Sequence, residues 1–438
     1  MAAPPPTLSK IQHVMVIFQE NRSTDNLFHD PKLIAEGADI ASTGLNSQGL
    51  TVPLMAVPMT AAFNPDHSHS AFLDMYDGGK MDGADKIVLR CPGGTTNCVP
   101  AGSNFAYVDP ADVAPYFQLA ETYTFADQMF QTNQGPSFPA HQFLISGTSA
   151  PSANSNLFVA ENPGEISSGN SETDTGCTAP AEETVRLITP DGDESQKIYP
   201  CFEHATLTDE LNAKAISWRY YAPSAGSIWT APNAIQHMCG PNAPIPNATA
   251  CAGADWTNNV VLHSQQVLMD VQNGQLATVS WVIPSGQASD HPLTTDGSGP
   301  SWVASIVNAI GNSPYWANTA IVITWDDWGG WYDHVKPPAV LNSYEYGFRV
   351  PMIVVSPFAK SAFVSHTFYD FGSILKFIER NFGLSTIASG YADTLNTGDL
   401  SDCFDFNQTP LTFQPIPTRL DANHFLKDKT PPMDPDDD

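Results

Sequence analysis

Residues 319–330 read TAIVITWDDWGG. An apolar run rich in β-branched residues stops at two adjacent carboxylates, Asp326 and Asp327, and the chain then turns on Gly329 and Gly330. Such a run, bounded by turn residues, reads as a strand buried on both faces, as parallel sheets require. Three more runs have the same character: IQHVMVIF at 11–18, ATVSWVI at 277–283 and RVPMIVV at 349–355. Helical periodicity appears between them. SWVASIVNAI puts Val303, Ile306, Val307 and Ile310 on one face with Trp302 nearby, and FYDFGSILKFIERNF does the same with Phe371, Ile374, Leu375 and Ile378. Strands alternating with helices predict an α/β fold, a mostly parallel sheet with helices on both faces.

The chain has 438 residues, enough for one large α/β domain. A single domain over 8–425 is expected. The Gly-, Ser-, Asn- and Pro-rich stretch of about 150–260 reads as a loop-rich cap insertion over the carboxyl edge of the sheet, and 426–438 as a disordered acidic tail. With 18 Lys and Arg against 46 Asp and Glu, the formal charge is −28. That surface repels nucleic acid and anionic membranes, so an anionic substrate needs a local cation. No apolar run approaches the roughly 20 residues of a membrane span, so no stable membrane anchor is expected. MAAPPPTLSK is not a signal peptide; it reads as a mature N-terminus with an added Met1. Of seven cysteines, Cys91 and Cys98, Cys177 and Cys201, and Cys239 and Cys251 each bracket an irregular loop. Local pairing makes three disulfides and leaves Cys403 over, which suits a secreted or periplasmic protein.

Two strands end in oxygen-rich clusters. Glu20 and Asn21 follow the first run, and Asp326 and Asp327 follow the third. Ligands collect beyond the carboxyl ends of such strands. Carboxylates facing one crevice repel unless a cation lies between them, and an oxygen-rich set suits one divalent ion such as Ca²⁺, Mg²⁺ or Mn²⁺. Taken alone, each pair also fits an ordinary turn or helix cap. Ser137, after the Gly135-Pro136 turn, stands where a helix could begin. It either caps that helix or, beside a metal, acts as a nucleophile. His67, His69 and His291 lie on loops at the expected sheet edge, where they could contact phosphoryl oxygens or protonate a leaving group. His334 follows close on the carboxylate pair and is a candidate substrate contact. His13, His29 and His263 read as structural.

HVMVIFQENRSTDNLF, DHSHSAFLDMYDGGKMDG, NQGPSFPAHQFLISGT, SDHP, TWDDWGGWYDHVKPP and YGFRVPMIVVSPFAK occur in this order. Together they resemble the bacterial phosphoesterase family that holds phosphatidylcholine-type phospholipase C and the acid phosphatase A enzymes, within the alkaline phosphatase superfamily. The resemblance spans residue 11 to about 383. It implies an alkaline-phosphatase-like fold and a phosphoric ester hydrolase with a phospho-enzyme intermediate. It also implies Glu20, Asn21, Asp326, Asp327 and Ser137 as metal ligands and Ser137 as nucleophile. His291 and one of His67 or His69 become the phosphate-binding and proton-transferring histidines, with His67 preferred because it follows Asn64-Pro65-Asp66 as in the family's Asp-Pro-x-His turn, and His237, in AIQHMC, a further phosphate contact. The phospholipases usually carry Thr where Ser137 stands and often extend into C-terminal β-domains, so a broad-range acid phosphatase is expected. A phospholipase C or other phosphodiesterase is the alternative, and a silent metal-binding protein a third. Ser137-x-Pro139-x-His141 also echoes the sulfatase motif, but His141 replaces its Arg, so formylglycine conversion is not expected.

Overall fold

The computed structural model describes residues 10–92, 98–164, 175–338 and 344–431. Its centre is an eight-stranded sheet. In chain order the strands are β1 (His13–Gln19), β2 (Thr124–Ala126), β3 (Trp218–Ala222), β4 (Val260–Leu262), β5 (Val279–Val282), β6 (Thr319–Trp325), β7 (Met352–Val355) and β8 (Phe363–Ser365). Across the sheet the order is β4-β3-β5-β1-β6-β7-β2-β8. Three of the expected runs, β1, β5 and β6, lie side by side and parallel. The fourth, β7, is a correction: it pairs antiparallel with both β6 and β2. An apolar run buried on both faces carries no signal for direction.

Every residue of β6 is buried, so layers must cover both sides of it. The helices form two groups. Gly299–Gly311 packs with Ala114–Thr122, Gln266–Gln272 and Ala422–Lys427, whereas Ser137–Ser146 packs with Phe371–Phe382 and Leu207–Ala213. The predicted apolar stripes are the buried ones: Val303, Ile306, Val307 and Ile310 are fully buried, and so are Phe371, Leu375 and Ile378. Phe371–Phe382 starts on a capping box at Asp370 and ends on left-handed Gly383, a standard helix start and stop.

The stretch of 150–260 is not all insertion. It contributes β3 to the central sheet, and β4 begins at its end. Arg219 interrupts the apolar signal of β3, and β4 is only three residues long, so neither shows a clear period. The remainder includes a small sheet of Phe158–Val159, Val185–Ile188 and Gln196–Ile198. Disulfides join Cys91 to Cys98, Cys177 to Cys201 and Cys239 to Cys251, and Cys403 is free and buried. Of the expected tail, Leu426 and Lys427 close a helix, and Pro431 accepts a hydrogen bond from Gln287 Nε2 at 2.8 Å. Residues 432–438 lie outside the described ones, and so do 93–97 of the Cys91–Cys98 loop.

Candidate active site

Register explains why distant carboxylates meet. β1 and β6 pair from His13↔Thr319 through Gln19↔Trp325, so Glu20 and Asp326 leave the sheet side by side. The backbone stitches the two ends further: Asp326 N–H donates to Gln19 O (3.0 Å) and Arg22 N–H to Asp327 O (3.0 Å). Asn21 turns the chain at φ +60° and donates its N–H to Asp326 Oδ1 at 3.0 Å. An asparagine tolerates that left-handed conformation better than most residues. The glycines of the opening motif answer to space. A Cβ on Gly329 would sit 2.1 Å from Asn21 O, and one on Gly330 2.6 Å from Asp66 O. The turn therefore presses directly on the two segments that present Asn21 and His67.

Ser137 is the first residue of the helix Ser137–Ser146, at the positive end of its dipole. Its Oγ donates to Asp327 Oδ2 at 3.0 Å, while Gly329 N–H donates to Asp327 Oδ1 at 2.7 Å. One helical turn further, His141 brings Nε2 to 3.3 Å from Glu20 Oε1 and 3.7 Å from Asp326 Oδ2. The sequence reading did not place His141 in the site. Its signal was spacing, because i and i+4 share a helix face, so a nucleophile at 137 carries residue 141 along with it. Glu20, Asn21, Ser137, Asp326 and Asp327 have no solvent exposure, and His141 is 1% exposed.

The donor set fits a cation. Ligand atoms of Glu20, His141 and Asp326 all lie within 4.8 Å of one another. Among the described residues, Asn21 Oδ1 and Asp326 Oδ2, both buried, accept no hydrogen bond, and buried acceptors left this way are costly. An imidazole among the oxygens also widens the choice of ion beyond the oxygen-only set expected.

The histidines divide into those inside this cluster and those outside it. His67 Nε2 lies 2.9 Å from Asn21 Nδ2, and its Nδ1 donates to Pro65 O at 3.0 Å. The His291 ring lies 6.0 Å from that of His67 and 6.1 Å from that of Trp229, and its Nδ1 donates to Pro292 O at 2.6 Å. His69 faces oxygen acceptors with both nitrogens: Nδ1 is 2.5 Å from Glu194 Oε1 and Nε2 3.1 Å from Gln134 Oε1, three residues before Ser137. Burial works against charging this ring, but the hydrogen bond and charge of Glu194, with Gln134 and Glu161, together outweigh it and the pKa is raised. Glu161, which accepts the His69 N–H, is pushed up to about 7 by burial and by Glu194.

His237 and His334, expected as substrate contacts, each pair with two carboxylates. His237 pairs with Glu203 at 2.9 Å and Asp209 at 3.4 Å. His334 pairs with Asp25 at 2.7 Å and Asp39 at 3.1 Å, beside the buried Arg349 that grips Asp25 and Asp333. Burial opposes the charge on each, yet these carboxylates raise both to about 9. Asp25, Asp333 and His334 also cluster closely enough for a metal, but Arg349 and the His334 ring already bring positive charge to both carboxylates.

A family model described as "Phosphoesterase family" matches residues 11–385. Among characterised proteins, "Hemolytic phospholipase C" of Pseudomonas aeruginosa is 24% identical over 450 residues, covering 91% of this chain and 56% of that protein. "Phospholipase C B" of Mycobacterium tuberculosis is 23% identical over 462 residues, covering 94% and 81%. The chain thus spans little more than half the length of the Pseudomonas relative. Among solved structures, a Vibrio parahaemolyticus protein of the alkaline phosphatase superfamily aligns with a TM-score of 0.36 and 10% identity, covering 88% of this chain and 70% of that one.

Proposed function

This chain belongs to the phosphoesterase family, and on that footing we propose that it hydrolyses phosphoric esters through a phosphoserine formed on Ser137. The observation that carries the reading is the 3.0 Å hydrogen bond from Ser137 Oγ to Asp327 Oδ2 at a helix N-terminus, inside a buried cluster of carboxylates. Asp327 Oδ2 is positioned to take the hydroxyl proton as Oγ attacks phosphorus. The helix N-terminus and the His67–His291 side of the site face the charge that grows on the phosphoryl oxygens. Between His67 and His69, the contacts favour His69 as the acid: both of its nitrogens face side-chain oxygens and its pKa is raised, whereas His67 Nε2 faces the Asn21 amide. His69 gives a proton to the departing alkoxide. Water, deprotonated by the neutral imidazole left behind, then splits the phosphoserine, Ser137 Oγ takes its proton back from Asp327, and phosphate is released. A divalent cation held by Glu20, Asn21, Asp326 and Asp327, with Ser137 and His141 at its edge, would balance the carboxylates and lower the Ser137 pKa.

The finer reading is an acid phosphatase acting on phosphomonoesters, supported by Ser rather than Thr at 137. A phospholipase C activity is the second reading, favoured by the names of the relatives that match more than nine-tenths of this chain. p-Nitrophenyl phosphate and phosphatidylcholine, assayed in parallel, separate the two. In Ser137→Ala the loss on the preferred substrate should be on the order of a thousand-fold or more. Near-normal turnover would remove Ser137 from the mechanism. Among the described residues no helix is long and apolar enough to cross a membrane. The three disulfides support an oxidising, secreted or periplasmic setting.

A further inference from the structure

Asp290 stands next to His291 in the chain and has no solvent exposure. Its Oδ2 accepts from Trp325 Nε1 and from the Tyr116 hydroxyl, each at 2.9 Å. Trp325 is the last residue of β6, directly before Asp326, and Tyr116 lies in the helix Ala114–Thr122. The Asp290 carbonyl accepts from Arg22 Nε at 2.9 Å, and Arg22 directly follows Asn21. One residue thus joins the loop that carries His291 to both strand ends that present the carboxylate cluster. The other carboxylate oxygen, Oδ1, sits against the start of the helix Gly299–Gly311, where a Cβ on Gly299 would lie 2.1 Å from it.

A tie of this kind need not be ionic to hold a loop. Burial pushes the Asp290 carboxyl up to about 6, although Arg22, Trp325 and Tyr116 all favour its charged form. A buried carboxylate adds little stability for such a cost, and among the described residues Oδ1 accepts no hydrogen bond. What the carboxylate does supply is two charge-assisted hydrogen bonds, which hold geometry more tightly than neutral ones. Both donors are themselves fixed, because the rings of Tyr116 and Trp325 pack edge to face at 5.1 Å. His291 Nδ1 donates to Pro292 O within the same loop, so the ring moves with the loop that Asp290 anchors.

We propose that Asp290 is a positioning residue for phosphoryl transfer, holding His291 in place beside the Asp326–Asp327 end of β6 through Trp325, Tyr116 and Arg22. This rests on the assignment of Ser137 as nucleophile and of His291 as a phosphate contact. An error of about 1 Å in placing a group that meets the substrate can cost on the order of a hundred-fold in rate. The effect of Asp290 on the reaction therefore passes through His291 and vanishes where that ring is absent.

The test is a double-mutant cycle of Asp290→Asn, His291→Ala and the pair, read on the better of p-nitrophenyl phosphate and phosphatidylcholine. Circular dichroism normalises each rate to folded protein. Asp290→Asn keeps the shape of the side chain and removes its charge, and kcat/KM should fall about ten-fold or more. In the His291→Ala background the same substitution should change it by less than about two-fold, because the two residues act as one unit. A merely structural role would lower both backgrounds alike, so equal falls overturn the proposal, and so does wild-type kcat/KM in Asp290→Asn. If Asp290→Asn does not fold, Tyr116→Phe replaces it, since it keeps the ring and removes one donor. A fall of about three-fold or more that disappears with His291→Ala then supports the tie, and any other result overturns it. Wild-type activity in His291→Ala overturns the proposal together with the phosphate contact, while Ser137→Ala still judges the nucleophile separately. If the wild type hydrolyses neither ester, the role of Ser137 fails instead. In that case, or where His291→Ala leaves no measurable turnover, the cycle is read from calorimetric binding of inorganic phosphate. Weaker binding in Asp290→Asn that is lost in the His291→Ala background supports the proposal. Weakening that persists there, unchanged binding or no binding by the wild type overturns it.

Discussion

At the scale of single residues, the site depends on contacts too short to tolerate substitution. Gly329 combines φ +61° with a Cβ position 2.1 Å from Asn21 O. Gly329→Ala therefore adds the left-handed penalty, roughly 1–2 kcal/mol, to a collision that displaces Asn21. Its Tm should drop and its activity fall further than the lost stability explains. Activity per folded molecule equal to wild type would show that the turn does not set Asn21. His69 offers a pH test. A general acid must be protonated, so activity declines as pH rises through its pKa. Removing the Glu194 carboxylate removes the interaction that holds that pKa up. Glu194→Gln should shift the alkaline limb of kcat to lower pH, and an unmoved limb would exclude His69 as the acid. Asp326→Asn and His141→Ala should each lower the metal content of the purified protein, measured by plasma mass spectrometry. His141 itself shows what residue-by-residue reading loses. Its motif was read only as a sulfatase echo that lacks the Arg, and its place one turn after Ser137 is what brings it to Glu20. For His237 and His334 the sequence gives no sign of the carboxylates that pair with them in space, Glu203 and Asp209 for one and Asp25 and Asp39 for the other.

At the scale of elements, long apolar runs were legible and short ones were not. β1, β5 and β6 announce themselves, because a buried strand of parallel character is apolar throughout. β2 and β8 are three residues each and give no period to read, while β3 carries Arg219 in its middle. The helix Phe371–Phe382 was clear from its stripe, yet it holds a buried polar residue that the stripe does not reveal. Glu379 is 5% exposed, and its carboxyl is pushed up to about 9 by burial and by Asp393. The folded state thus keeps a proton that the unfolded chain has released above about 4.5. Stability contributed by this group is complete below that value and declines as pH rises towards 9, by up to about 1.4 kcal/mol per pH unit. Glu379→Gln should flatten the fall in Tm between pH 5 and pH 8, and a parallel pair of curves would count against this burial. The ends of β1 and β6 were legible as a site because Glu20-Asn21 and Asp326-Asp327 follow their strands without a spacer.

At the scale of the whole molecule, the charge of −28 sets how substrate arrives. Exposed charges interact over a Debye length of roughly 30 Å at 0.01 M salt but about 10 Å at 0.1 M. For phenyl phosphate, kcat/KM should therefore rise as salt is added over that range, because the general repulsion is screened first. A fall would mean that local cations, not the overall charge, govern the approach. Composition made this term visible at once, whereas strand order and the reversed direction of β7 are properties of the assembled sheet that no segment encodes alone. The pairing of His13–Gln19 with Thr319–Trp325 has one last consequence, for mutational history. Side chains alternate along a strand, so losing or gaining one residue inside either segment would swing Glu20 or Asp326 to the wrong side and break the backbone bonds that join their ends. Both segments should accept exchanges of one apolar residue for another yet refuse any indel, which makes their lengths, more than their letters, the heritable part of the centre.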